Sequence, residues 1–213
     1  MEGGMIDEPW TLGAESVIYK IERWGQILLL KQRPKKPYLL QAIDAQLRQS
    51  RTSRECKMLN VARGLGIPTP AVHWVDRSSF TIAMDYIEGT RLRELVQDVP
   101  PKTLEKLCVR LGRLVGLLHM GDVVHGDPTT SNVIVDRIGK MWLIDFGLAE
   151  MNATTEMKGV DLHLMKRAFE TTHWDIQNEM LDAALTGYKQ TLGENANSII
   201  VRMEEIRERG RYH

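Results

Sequence analysis

Apolar and polar positions are distributed differently in the two halves of the chain. Early on, Ser16 to Arg23 and Gln26 to Lys31 are rich in Val, Ile, Leu and Tyr and flank Trp24-Gly25, which predicts a β-ribbon closed by a short hairpin turn. A Pro-containing loop (Pro34, Pro37) then leads into a long helical segment from about Gln41 to Arg63, stopped by Gly64, Gly66 and Pro68. Two further strands are expected at Ala71 to Asp76 and Phe80 to Tyr86. From Pro101 to Met120 the apolar residues Leu104, Leu107, Cys108, Leu111, Leu114, Val115 and Leu118 recur at the spacing of one helical face, so this helix should be buried. Two short strands, Asn132 to Val135 and Met141 to Ile144, flank a turn at Asp136 to Gly139, and the remainder reads as mainly helical. The pattern is that of an α+β chain in two parts, a β-rich region with one long helix over 1–88 and a mostly helical region over 89–213. Between them, at Glu88-Gly89, a cleft can open.

Composition narrows the picture. The 213 residues suffice for a sizeable core, and with 43% hydrophobic and 26% charged residues a disordered, collagenous or coiled-coil chain is excluded. Lys plus Arg and Asp plus Glu both number 28, so the net charge is zero and any binding to nucleic acid or acidic membrane must come from local patches. Apolar runs such as Ile27 to Leu30 and Leu114 to Leu118 fall far short of the roughly 20 residues that span a bilayer. The acidic start, Met1 to Trp10, is unlike a secretory signal, and Cys56 and Cys108 have neither disulfide nor metal spacing; together these predict a cytoplasmic protein with no membrane role.

The candidate chemistry is concentrated in His125-Gly126-Asp127-Pro128-Thr129-Thr130-Ser131-Asn132, followed after a short hairpin by Asp145-Phe146-Gly147. Asn132 stands five residues after Asp127, the interval in the kinase catalytic loop H-R-D-x-x-x-x-N, and an Asp-Phe-Gly triplet follows it in kinases as it does here. Asp127 can accept a proton or orient a nucleophile, while Asn132 and Asp145 offer hard oxygen ligands to Mg²⁺ on the phosphates of ATP. Lys31, at the end of the second strand, can reach α and β phosphates, although a strand-end Lys is as readily a surface group. Glu55 shares a helical face with Met58, Leu59 and Ala62; its partner is either Lys31 or Arg51 one turn back.

Weaker signals surround these. Gly13-Ala14-Glu15-Ser16 lies where kinases put a glycine-rich phosphate cover, but without G-x-G-x-x-G it reads equally as a plain turn. Met84, Asp85 and Tyr86, with Ile87-Glu88-Gly89, end the last strand of the first part and are placed either to pair with an adenine edge or simply to stop a strand. Asp161 reads as an acceptor for backbone N–H groups of the catalytic loop or as a helix N-terminal acid. Arg202, Arg207, Arg209, Arg211 and His213 form a basic tail, and Arg33, Lys35 and Lys36 a smaller basic patch.

These residues resemble the PRPK family, the small atypical kinase/ATPase subunit of the KEOPS (EKC) tRNA-modification complex. The resemblance runs through Gly13-Ala14-Glu15, Lys31-Gln32-Arg33, Arg51-Thr52-Ser53-Arg54-Glu55, Tyr86-Ile87-Glu88-Gly89, the His125 to Asn132 string, Asp145-Phe146-Gly147-Leu148 and Arg209-Gly210-Arg211. It implies a minimal bilobal protein-kinase-like fold and ATP hydrolysis in support of N6-threonylcarbamoyladenosine formation in tRNA. It also implies docking of the C-terminal lobe and tail on a threonylcarbamoyltransferase subunit, and of the N-terminal lobe on a small regulatory subunit. Serine/threonine phosphorylation is a further activity attributed to the family.

Three positions depart from the kinase or family pattern. Pro128 stands where the family usually has Leu, removing one N–H and biasing Asp127 toward an extended backbone. Gly126 replaces the Arg of H-R-D, so no cation there can read a phosphorylated activation segment. Thr129 occupies the place of a Lys that protein kinases set on the transferred phosphate, which favours hydrolysis over transfer to protein. Two other functions compete: a small-molecule phosphotransferase of the aminoglycoside or choline type, which the short C-terminal part disfavours, and a nucleotide-gated scaffold.

Overall fold

The computed structural model describes residues 9–12 and 16–209. Five antiparallel strands form the N-terminal sheet: β1 (Thr11–Leu12), β2 (Val17–Arg23), β3 (Gln26–Gln32), β4 (Val72–Asp76) and β5 (Thr81–Asp85), in the order β1-β2-β3-β5-β4. Trp24 and Gly25 both take positive φ, +55° and +70°, as a two-residue turn matched to strand twist requires. In the register, Ile18 and Ile82 flank Lys31 while Lys20 and Met84 flank Leu29, so all six share one sheet face. The helix α1 (Gln41–Gly64) buries Thr52, Glu55, Met58, Leu59 and Ala62, and its apolar members join Ile82 and Met84 in the main core.

The chain leaves β5 at Asp85, whose carboxylate accepts from Ala71 N–H at 2.9 Å and meets His73 at 2.7 Å. Beyond it β6 (Gly89–Arg91) turns to a different sheet, pairing with β8 (Val133–Asp136), which pairs in turn with β9 (Met141–Leu143). Between them lie the single turn α2 (Leu92–Leu95), the helix α3 (Pro101–Met120) and β7 (Val123–Val124), which pairs with β10 (Glu150–Met151). Three helices complete the fold: α4 (Thr155–Thr172), α5 (Gln177–Leu192) and α6 (Asn195–Arg209).

The apolar face of α3 is buried throughout its predicted length, each large side chain contributing about 1.5–3 kcal/mol of transfer free energy. Gly112 on α3 and Gly187 on α5 let the two helices touch backbone to backbone: a Cβ on Gly112 would strike the Ala184 carbonyl, and one on Gly187 the Val109 carbonyl. The expected α+β arrangement of a β-rich lobe with one long helix and a helical lobe is thus observed. Most strand ends differ from the expected bounds by one residue. Asn132 ends a 3₁₀ turn (Thr130–Asn132) rather than starting a strand, its side chain bonding Asp127, and Ile144 lies just beyond β9 although its N–H donates to the Asn132 carbonyl at 3.0 Å. No helix among the described residues is long and apolar enough to cross a membrane.

Candidate active site

Lys31, Glu55 and Asp145 converge from β3, α1 and the segment after β9. The Lys31 ammonium donates to Glu55 Oε1 at 2.6 Å and to Asp145 Oδ1 at 2.7 Å. Burial works against its charge, but the two carboxylates outweigh that and raise its pKa. Burial likewise opposes ionisation of Asp145, yet the Lys31 ammonium and the Gly147 N–H hold its carboxyl below the usual range. Asp145 itself takes a left-handed backbone, φ +62°, which swings its side chain out between the lobes while Phe146 goes fully into the core. The other Glu55 oxygen accepts from Arg33 at 2.5 Å, so the carboxylate is gripped on both sides by residues of one strand and its continuation. Arg33 is therefore no part of a surface basic patch: it is 5% exposed, because strand alternation puts it on the inward face two residues after Lys31.

Asp127 and Asn132 form the second half. The Asn132 amide N–H groups donate to the Asp127 carbonyl at 3.0 Å and to its Oδ2 at 2.7 Å, which leaves the amide oxygen as the donor available to a cation. Burial pushes the Asp127 carboxyl up, with the Asn132 bond only partly offsetting it. Over Pro128, the Thr129 N–H closes a tight turn onto the Asp127 carbonyl at 2.8 Å.

Asp161 fixes this loop from α4. It lies more than a turn inside that helix, and its carboxylate accepts the N–H groups of His125 at 2.9 Å and Gly126 at 2.7 Å and contacts His119 Nε2 at 3.1 Å. The Asp161 carboxylate can only accept, so His119 Nε2–H donates to it, while His119 Nδ1 meets the Tyr188 hydroxyl of α5 at 2.7 Å. Burial pushes the His125 pKa down; its Nε2–H donates to the Ile144 carbonyl at 3.1 Å and its Nδ1 accepts from Asp127 N–H at 3.3 Å. Gly126 has φ +81°, and a Cβ on it would lie 2.5 Å from the Leu148 carbonyl oxygen, which explains why no Arg stands here.

The remaining expected site residues are placed less centrally. Met84 is buried on the same sheet face as Lys31. Tyr86 stacks edge-on with Trp10 and beneath the Lys20 ammonium, facing a cleft of about 620 Å³ along the crossing whose lining includes Glu88 and Trp142 but neither Lys31 nor Asp145. Ser16 is buried, and Gly13, Ala14 and Glu15 lie outside the described residues. Arg202, Arg207 and Arg209 belong to α6 and pair with Glu156 or Glu204, so they form a salt-bridged helix surface; Arg211 and His213 lie outside the described residues.

Among the described residues no three His, Cys, Asp or Glu side chains gather into a metal centre. The Asn132 amide oxygen and the Asp145 carboxylate are hard oxygen donors of the kind that hold Mg²⁺, which completes its shell with phosphate and water, so these residues fit that cation.

The protein kinase domain family matches residues 18–192 of the chain. The chain is 43% identical over 208 residues to the KEOPS complex subunit Bud32 of Pyrococcus abyssi, covering 94% of both. It is 33% identical over 223 residues to the EKC/KEOPS complex subunit BUD32 of Yarrowia lipolytica, covering 93% of this chain and 90% of that one. A probable bifunctional tRNA threonylcarbamoyladenosine biosynthesis protein of Methanothermobacter thermautotrophicus is 37% identical over 200 residues, which cover 94% of this chain but only 36% of the longer protein.

Proposed function

From the premise that this chain belongs to the protein kinase family, in the branch of the Bud32 subunits of KEOPS complexes, we propose that it binds Mg²⁺-ATP between its lobes and hydrolyses it in support of tRNA threonylcarbamoyladenosine formation. The observation that carries this reading is the meeting of Lys31, Glu55 and Asp145 from three distant elements at hydrogen-bond distance, with Asp127 and Asn132 held as a pair in the same lobe as Asp145. Bound Mg²⁺ would neutralise charge on the phosphates and orient them.

The side chains divide the work. With nucleotide bound, Lys31 would turn its ammonium from Asp145 to phosphate oxygens, with Glu55 steering it. Asp145 and Asn132 would hold the cation through their carboxylate and amide oxygens. Asp127, its carboxyl raised and its orientation set by Asn132, accepts a hydrogen bond from the attacking water and takes its proton. Thr129 supplies no cation beside the transferred phosphate, which favours water over a protein hydroxyl as acceptor; serine/threonine phosphorylation is the secondary activity of this reading. Its partners are a threonylcarbamoyltransferase subunit on the C-terminal lobe, a small regulatory subunit on the N-terminal lobe, and tRNA through the assembled complex. A small-molecule phosphotransferase is disfavoured, because α5 and α6 are committed to the lobe's own core through Ala184, Tyr188, Ile199 and Met203.

The test is ATP turnover by the purified chain, alone and with transferase subunit and tRNA. Asp127→Ala and Asp145→Ala are expected to reduce turnover to background while unfolding stays cooperative. Undiminished turnover in Asp145→Ala would refute the assignment.

A further inference from the structure

We propose that Arg33 is a positioning residue of the ATP site: a second buried cation on Glu55 that frees Lys31 to serve phosphate and keeps α1 latched to the sheet. This inference rests on the ATP-site reading above. Lys31 is one positive charge set between two carboxylates, Glu55 at 2.6 Å and Asp145 at 2.7 Å. Without Arg33 the cluster would carry a net negative charge with Glu55 only 1% exposed, a costly arrangement for a desolvated carboxylate. Glu55 would then compete with the substrate's phosphates for the ammonium. Arg33 removes that competition by holding Oε2 at 2.5 Å while Lys31 holds Oε1.

Its placement suits this task, for Arg33 is buried, 5% exposed. A Cβ on Gly147 would lie 3.3 Å from the Arg33 guanidinium, so the guanidinium is packed beneath the Asp145–Gly147 turn. The Arg33 backbone is held as well: its N–H donates to Phe80 at 3.2 Å, and its carbonyl accepts from Arg48 at 3.4 Å, whose guanidinium grips buried Asp44 on the same helix. The helix α1 is thus tied to the strand by a side-chain pair near its middle and a main-chain contact one and a half to two turns earlier. The segment from Leu148 to Thr154 is short and pinned by the β7–β10 pair, and it meets α1 at the exposed Arg54–Glu150 pair, 3.3 Å apart. The lysine–glutamate pair is assembled in the unphosphorylated chain, with the buried Arg33 on its other side.

The experiment is a double-mutant cycle on the full chain, Arg33→Met, Glu55→Gln and both together, with Arg33→Lys as the conservative control. Turnover, affinity for a fluorescent ATP analogue and thermal unfolding are measured for each. Arg33→Met is expected to lower kcat/KM on the order of tenfold or more, and Arg33→Lys to retain most of it. The double variant, in which no charge on Glu55 needs neutralising, is expected to recover several-fold in turnover and ATP affinity relative to Arg33→Met alone. Additive losses, or a fall in melting temperature with kcat/KM unchanged, would overturn the proposal and leave Arg33 a packing residue. Wild-type turnover no higher than that of Asp145→Ala would instead sink the hydrolysis reading, and the ATP-affinity cycle would still decide the role of Arg33.

Discussion

Replacing Asp161 by Asn keeps shape and volume but leaves one acceptor oxygen where the loop uses two. In the native protein Oδ1 takes the Gly126 N–H at 2.7 Å, while Oδ2 takes the His125 N–H at 2.9 Å and the His119 ring at 3.1 Å. Whichever way the new amide turns, its NH₂ group confronts at least one buried N–H donor. A hydrogen bond to a charged group contributes about 1.5–3 kcal/mol and an orphaned buried donor costs about 1–3 kcal/mol; the two overlap, so the expected loss is about 2–4 kcal/mol. Against a total of about 5–15 kcal/mol the variant should remain folded, with its melting temperature lowered by roughly 4–16 °C for a chain of this size. Because the lost bond sits one or two residues before Asp127, turnover should fall on the order of tenfold to a hundredfold, as expected for sub-ångström to ångström misplacement of a reacting group. Calorimetry and steady-state ATPase measurement check both. A melting temperature within about 1 °C of wild type, together with unchanged turnover, would show that the carboxylate is not what holds the loop.

Gly126→Ala is expected to cost about 1–2 kcal/mol from its left-handed backbone, and more from the Leu148 carbonyl, with a matching loss of turnover; urea unfolding measures the first. Since burial raises the Asp127 pKa, the acid limb of the rate profile should lie above the ordinary carboxylate value of 3.8 and vanish from the residual rate of Asp127→Asn. Lys31→Met should weaken ATP binding and cut turnover at least about a hundredfold, and the Asp145 carboxyl, deprived of its ammonium, should titrate higher by NMR than in the native protein. Asp76 is held at about 2 by Ser78 and Ser79, below its unfolded value of 3.8. Its stabilisation is therefore complete above that unfolded value and lost as pH falls toward the folded one, and Asp76→Ala should flatten that part of an acid-unfolding curve.

How far the chain could be read beforehand follows from the kind of signal each element carries. Long periodic runs were legible: α1 and α3 begin and end within a residue of their expected bounds, because a repeating apolar face and Gly or Pro stops mark them. The two-residue strands β1, β7 and β10 have no room for a period, and β6 and α2 are nearly as short. In the site, Asp127, Asn132 and Asp145 could be named from spacing alone, and Glu55 from its place on an apolar helix face. Arg33 was hidden by its neighbours: beside Lys35 and Lys36 it looks like part of a charged surface. The available signal was its two-residue offset from Lys31, which keeps the inward face for one more step as β3 ends. For Asp161, of the two readings the sequence leaves open, the structure shows the acceptor of catalytic-loop N–H groups, at His125 and Gly126, rather than a helix N-terminal acid.

The contact between α3 and α5 bears on chemistry at some distance from it. Tyr188 follows Gly187 directly, its hydroxyl holds His119 near the end of α3, and His119 meets the carboxylate that carries the loop before Asp127. The separation of two helix axes is thereby linked, contact by contact, to the position of the loop that carries Asp127. A methyl group added to either glycine would have to be accommodated along that linkage, so two residues with no functional atoms of their own bear on where the Asp127 loop sits.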